Sequence, residues 1–442
     1  MITRLRSLWD SVNASYWFYP GLLALTAFGL ALLTIWIDRT EQLTWLKSIG
    51  FVDAPRPEGA RSMLTVIAGS MIGVASTVFS ITIAAVAYAS GNFGPRLLTN
   101  FMEDKGNQLS LGTFIATFVY ALTVLRTVRD EEEVATVVAG GDPLPGFVPQ
   151  VSLLVAYALM GVAVMVLVYF LNHIPASIRV NTVLQGIGDR LIRDIKHNFD
   201  QPCRGQVGAV EPTGKPVLTD KVGYIQIINF KELNAVADKA NGFFGLAVRT
   251  GDFVHPDMPL GYWQGDGGDS EPPAASIRSC FALGGRRTPS QDLHFLIDEL
   301  VEIGLRALSP GINDPFTAIS ALHWLGAATA ELGPRDLAHS SGDAGQPNTD
   351  RVSPLNNDFS HYVQRGFGSI RSGVATSPIA AVVMFDALRH ATSTFSNAER
   401  HRVLVNEGEQ LMRQARLVLD GPDLKQVEAR YHSFMRDMAA DR

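Results

Sequence analysis

Four apolar stretches occupy the first 172 residues, at about 17–37, 63–90, 109–126 and 151–171, and only Arg126, at one end, is charged. Hydrocarbon about 30 Å thick takes roughly 20 helical residues to cross. No other single feature restricts the fold as much. The first stretch is too long for a secretory leader, and Trp36-Ile37-Asp38-Arg39 lacks a small-residue cleavage pattern. It reads as a retained anchor, with Trp17, Tyr19 and Trp36 suited to the membrane–water interfaces. The second stretch is longer than a span requires and must tilt or project into water.

From residue 173 onward the composition is that of an ordinary soluble protein, a division that the overall 47% hydrophobic content conceals. The expected class is an α-helical membrane protein with four transmembrane helices (1–172) and a cytoplasmic α+β domain. That domain divides into a connecting helix (173–213), a small β-module (214–264) and a helical region (276–442). A net charge of −6 argues against a dedicated nucleic-acid binder. Two cysteines, Cys203 and Cys280, do not make a disulfide framework.

Charge at the span ends suggests the orientation. Arg4 and Arg6 precede the first span, and Arg179, Arg190, Arg193 and Lys196 follow the fourth, while the third loop is acidic from Asp130 to Glu133. An even number of spans with basic flanks at both ends puts the two termini in the cytoplasm. Arg39, Lys47, Arg56 and Arg61, in a loop then on the far side, run against this.

On a helical projection of the second span, Thr65, Gly69, Gly73, Ser76, Ser80, Ala84 and Ala87 fall within roughly a third of the circumference. Ile67, Met71, Val74 and Val78 lie opposite. Small residues let helix backbones approach in lipid, and Gly69-x-x-x-Gly73 fits that packing role. The same stripe, with hydroxyls at Ser76 and Ser80, also suits a pore lined by identical helices. The pore-lining candidates are therefore Thr65, Gly69, Gly73, Ser76, Ser80, Ile83 and Ala87, Ile83 being able to form an apolar constriction. Arg96, after Gly94-Pro95, is a candidate for a pore mouth or for lipid headgroups. No span carries the buried carboxylate usual in ion-coupled transporters.

In the C-terminal half, LQGIGDRLIRDIKHNF places Leu184, Ile187, Leu191 and Ile195 at helical spacing. VGYIQIINF alternates as a strand, KELNAVADKAN reads as a short helix, and the turns Thr250-Gly251-Asp252 and His255-Pro256-Asp257 reverse the chain. Thr288, Pro289 and Gln291 read as an N-cap, first-turn proline and capping-box glutamine. That helix is expected to end at Ser309-Pro310-Gly311, with Asp314-Pro315 opening the next one and Asn313 able to adopt a left-handed conformation. Residues 332–360 read as a loop, and helices resume at about 374–392, 397–418 and 423–438.

Enzyme signatures are scarce: G-x-S-x-G, the P-loop, H-E-x-x-H and a Gly-rich dinucleotide turn are all missing from the sequence. No cofactor or metal is expected. Arg286 and Arg287 in GGRRT are the best anion-site or ligand candidates, although a basic turn paired with a nearby carboxylate is the plainer reading. His294, Asp298 and Glu302 share a helical face that could suit a divalent metal, but an exposed charged face explains them more simply. Arg306 and Asp314 read as corner stabilisers.

SMIGVASTVFSITIAAVAYASGNFGPRLLTNF, NHIPASI, GDFVHPDMPL and RRTPSQDLHFLIDELVEIGLRALSPGINDPFTA together resemble the bacterial predicted-membrane-protein family known as domain of unknown function 2254. The resemblance covers nearly the whole chain. It implies an inner-membrane protein with N-terminal spans and a cytoplasmic C-terminal domain, and it brings no catalytic residues. Two functions stay open. One is a homo-oligomeric ion channel, its second span lining the pore and its partners lipids, small ions and further copies of itself. The other is a non-conducting sensor or scaffold that anchors a cytoplasmic binding domain.

Overall fold

The computed structural model describes residues 15–40, 56–94, 104–129, 147–199, 201–203, 213–266, 270–289, 291–337, 351–355 and 358–440. The chain forms two compact units, one holding the four apolar helices and the other running from Val180 onward.

In the first unit, α1 (Phe18–Arg39), α2 (Pro57–Phe93), α3 (Lys105–Leu125) and α4 (Gln150–Ser177) are each long and apolar enough to cross a membrane. α3 is the central one: 56% of its apolar window is buried, against 28%, 33% and 22% for α1, α2 and α4. Phe114, Tyr120, Ala121 and Val124 of α3 are fully enclosed among Ala31 of α1, Leu64 of α2 and Ala163 of α4.

Several polar groups inside this apolar unit find partners within it, as hydrocarbon supplies none. The Tyr120 hydroxyl donates to the carbonyl of Ser152 at 3.1 Å and lies 2.8 Å from Thr34 Oγ1. The Asp38 carboxylate accepts hydrogen bonds from the backbone N–H of Val151 and Ser152 (2.9 and 3.0 Å) and from the Ser152 hydroxyl (2.7 Å). It thereby supplies partners for the first, otherwise unsatisfied donors of α4. Asp104 does the same for α3, accepting from Gly106 N at 2.8 Å, and holds His173 Nε2 at 2.7 Å.

Close backbone approach falls at Gly112 of α3. A Cβ there would lie 2.7 Å from Leu23 Cδ1 and 3.1 Å from Pro20 Cα, so only glycine lets α1 and α3 meet. At Gly69 and Gly73 of α2 an added Cβ would meet nothing within 4 Å.

The second unit begins with α5 (Val180–Asn198), whose Leu184, Ile187, Leu191 and Ile195 are all buried. Strands β1 (Lys215–Leu218), β2 (Gly223–Ile228), β3 (Gly242–Leu246), β4 (Phe253–Val254), β5 (Pro259–Gly265), β6 (Phe281–Gly284) and β7 (Val352–Ser353) build two sheets, ordered β1-β5-β3-β7 and β4-β2-β6. All pairings are antiparallel except β3 with β7. Alternating residues Ile225, Phe244, Leu246 and Trp263 fill one core with Leu233 and Ala237 of α6 (Phe230–Lys239). The sheet region thus runs past residue 264, through α7 (Ala274–Ser279) to β6, and takes in β7.

Next come α8 (Leu293–Ala307) and α9 (Pro315–Leu332), followed by α10 (Phe359–Val363), a π-helical turn (Gln364–Gly368) and α11 (Ser369–Val374). The chain ends in α12 (Pro378–Ala391), α13 (Ala398–Val418) and α14 (Gly421–Ala440). Asp314 caps α9 through Thr317 N, and Asn313 is left-handed with φ 52°. The expected start of α8 differs. Gln291, expected inside the helix, has φ 60°, and Asp292 is the cap, accepting from Phe295 N. A left-handed residue cannot continue a right-handed helix, so the first turn begins beyond it.

We expect Gly112→Leu to destabilise the helical unit by about 1–3 kcal/mol through overpacking. Gly69→Leu should leave the stability of the single chain within about 0.5 kcal/mol. Thermal unfolding of the two variants in detergent measures the contrast.

Candidate functional site

The expected pore-lining residues lie on one side of α2 and face away from the helices of their own chain. Thr65, Gly69, Gly73, Ser76, Ser80, Ile83 and Ala87 are all exposed, whereas Ile67, Met71 and Val78 on the other side are buried in the bundle core. The hydroxyls turn back on their own helix: Thr65 donates to Arg61 O, Ser76 to Ile72 O and Ser80 to Ser76 O, at 2.7–2.9 Å. The stripe therefore offers small volume and muted polarity. Arg96 lies outside the described residues.

The densest polar arrangement lies in the second unit, around the N-terminus of α8. Arg287 donates from Nη2 and Nε to Asp292 Oδ2 (2.7 and 3.1 Å) and from Nη1 to Asp298 Oδ2 (2.6 Å). From the π-helical turn, Arg365 makes a bidentate pair with Asp298, Nε to Oδ1 and Nη2 to Oδ2, both 2.8 Å. Two arginines thus share one carboxylate. Burial would raise the Asp298 pKa, but the hydrogen bonds from Arg365 and Arg287 outweigh it and hold the group below its ordinary value.

Arg287 proves to be the carboxylate-paired turn residue of the plainer reading, its guanidinium committed to Asp292 and Asp298. Arg286, by contrast, is exposed, and its carbonyl accepts from Gln226 Nε2. The helical face of His294, Asp298 and Glu302 is not the exposed charged face expected, since His294 is buried and Asp298 is taken up by Arg287 and Arg365. Among the described residues no group of three or more His, Cys, Asp or Glu side chains is arranged for a metal ion.

His294 instead stacks on Tyr362 (5.3 Å, 6°), and its Nε2 lies 3.1 Å from His361 Nε2. A bond between two imidazole nitrogens needs one ring to accept, so at least one of the pair is neutral. Burial, with Arg365 and Arg249 adding repulsion, pushes the His294 pKa down to about 2. His361 is lowered by burial and by the same two arginines.

The tight turn after β3 supplies Arg249. Arg249 N donates to Asp252 Oδ2 at 2.9 Å, and the Thr250 hydroxyl donates to Gln291 O at 2.6 Å. Gly251, at φ 90°, sits where a Cβ would be 2.1 Å from Asp292 Oδ2, so the turn can reach the ion pair only with glycine. Gln291 completes the join, its Oε1 accepting from Ile228 N at 3.1 Å. Beside these residues opens a cavity of about 100 Å³ whose polar lining is Asn198, Arg249, Thr250, Gln291 and His294. Phe199, Phe230, Leu246 and Tyr362 are among its apolar walls.

Arg249, His361, Tyr362 and Arg365 did not stand out in the sequence. The last three come from a region divided between the loop expected to end at 360 and the interval before 374. The usable signal was Asp358, which caps α10 through His361 N, followed by the buried Phe359, Tyr362, Val363, Phe367, Ile370 and Val374. The π-helical turn offsets the ordinary period within that series.

Four membrane-length helices joined to an α+β unit define a membrane protein with a folded polar domain. The chain belongs to the family described as predicted membrane protein (DUF2254), whose model matches residues 13–390. It is 28% identical over 350 residues to uncharacterized proteins of Mycobacterium bovis and of two strains of Mycobacterium tuberculosis. Each match covers 76% of this chain and 64% of the relative, so the chain spans just under two thirds of the relatives' length. No solved structure matches.

Folded His294 stays neutral down to about pH 2, whereas the unfolded side chain takes up a proton near 6.5. Below that value the unfolded state binds more protons, so stability falls on acidification. The expected slope approaches about 1.4 kcal/mol per pH unit for one such histidine. His294→Phe should flatten the fall in unfolding midpoint between pH 7 and pH 5, as measured by denaturant titration followed by tryptophan fluorescence.

Proposed function

We propose that this protein is a homo-oligomeric ion channel of the bacterial inner membrane. Both termini would be cytoplasmic, the α2 helices of several subunits would line the passage, and the second unit would regulate it. The observation that carries this reading is the outward direction of the small-residue stripe on α2. Its apolar opposite face is already used by the chain's own bundle, and in lipid a face of Gly, Ser and Ala gains most by meeting another helix closely. Copies of α2 meeting one another around an axis would satisfy that preference, with Ile83 as the apolar constriction and lipids against the remaining surface. Small ions would be the cargo.

A non-conducting sensor or scaffold is the second reading, favoured by the cavity in the second unit, which a membrane-anchored binding domain would use. Planar-bilayer recording of the purified protein, with oligomer mass measured on the same sample, separates the two. A channel gives unitary currents from an oligomer, and single cysteines at positions 69, 73, 76 and 80 are labelled by a water-soluble thiol reagent. Charge reversal of Arg96 should then alter ion selectivity. A monomer that stays silent under varied voltage, tension and pH, with all four cysteines protected, would overturn the channel and leave the scaffold.

A further inference from the structure

We infer that the cavity beside the Arg–Asp cluster is a binding site for a small organic anion, a carboxylate on a compact apolar body. The site lies wholly within the second unit, and the inference does not depend on whether the membrane helices conduct.

The walls determine the body of the ligand. Phe199, Phe230, Leu246 and Leu355 are among the walls of a space of about 100 Å³. That is room for one small ring or short chain, or for several waters with few polar partners on those walls. The polar end determines the head. Arg249, Thr250, Gln291 and His294 line the cavity together. Of the three arginines near the histidine pair, Arg287 and Arg365 are held by Asp292 and Asp298.

Arg249 is the exception. Its approach to Asp252 is 3.9 Å, too long for a hydrogen bond, and Asp252 Oδ2 is already accepting from Arg249 N. Arg249 Nη1 is buried with no hydrogen-bond partner among the described residues. Arg249 lines the cavity, where a carboxylate would give its guanidinium a charge-assisted bond in place of the long approach to Asp252. The ring nitrogens of the histidine pair add a donor or acceptor at the same end of the cavity.

Two features hold Arg249 in place. The Thr250 hydroxyl is fixed on Gln291 O, and Gly251 N donates to Ile225 O at 2.8 Å. The arginine therefore projects from a turn anchored on both sides, so binding requires little ordering of the backbone.

The test is isothermal titration calorimetry on the whole 442-residue chain in detergent, with benzoate and hexanoate as probes against benzamide and hexanamide. We expect at least one carboxylate to bind about tenfold or more tightly than its amide, the difference that one charge-assisted contact supplies. Arg249→Gln should abolish that preference while leaving the thermal unfolding midpoint close to wild type. The inference is overturned if neither carboxylate binds, or if acids and amides bind alike. Inorganic phosphate binding more tightly than both carboxylates would also overturn it, because the apolar walls would then contribute nothing. The wild-type series decides the matter by itself should Arg249→Gln fail to fold.

Discussion

Hydrocarbon offers no partner to a polar group, and the helical unit is arranged around that restriction. Tyr120 finds Thr34 and Ser152, Asp38 takes the first donors of α4, and Asp104 takes those of α3. Each contact joins two helices or closes one, so satisfying the polar groups also fixes which helix lies beside which. The large apolar residues of α2 complete the core from one side. The hydroxyls of Thr65, Ser76, Thr77 and Ser80 bond to their own helix backbone, and among the described residues the small-residue face lies outside the bundle core.

In the second unit the same economy is achieved with charge. Asp298 accepts from Arg287, which belongs to the segment after β6, and from Arg365, which belongs to the π-helical turn. One carboxylate therefore ties the sheet region to two helical segments distant in sequence. Such an arrangement depends on completeness, since removing one partner leaves the others buried and uncompensated. Gly251 admits the β3–β4 turn against Asp292, and that contact brings Arg249 to the edge of the cavity.

Much of the architecture was legible because it follows from local rules. Four long apolar runs identify the four helices, alternation marks VGYIQIINF, and Asp314-Pro315 after a left-handed Asn313 marks the second helix of the corner. The start of α8 was misread because Thr288-Pro289 and Gln291 imitate a capping box, while the conformation of Gln291 is imposed by contacts with Ile228 and Thr250 that lie far away in sequence. The site was barely legible. Arg287 was singled out, but its pairing with Asp298, and that of Arg365 with the same carboxylate, are set by tertiary packing. His361 and Arg365 lie in a segment whose helical period is interrupted.

That interruption has a consequence for how the chain can vary. A π-helical turn holds one residue more than the α-helix around it needs, and successive residues of an α-helix are about 100° apart in azimuth. Loss of a single residue within Gln364–Gly368 would close the bulge into regular winding and keep α10 and α11 in phase, because the bulge already absorbs the extra residue within its own turn. His361 and Tyr362 would then keep their azimuth relative to Ile370. These five positions can therefore lose one residue without turning their flanks, whereas a deletion in the regular turns on either side would rotate one flank by about 100°.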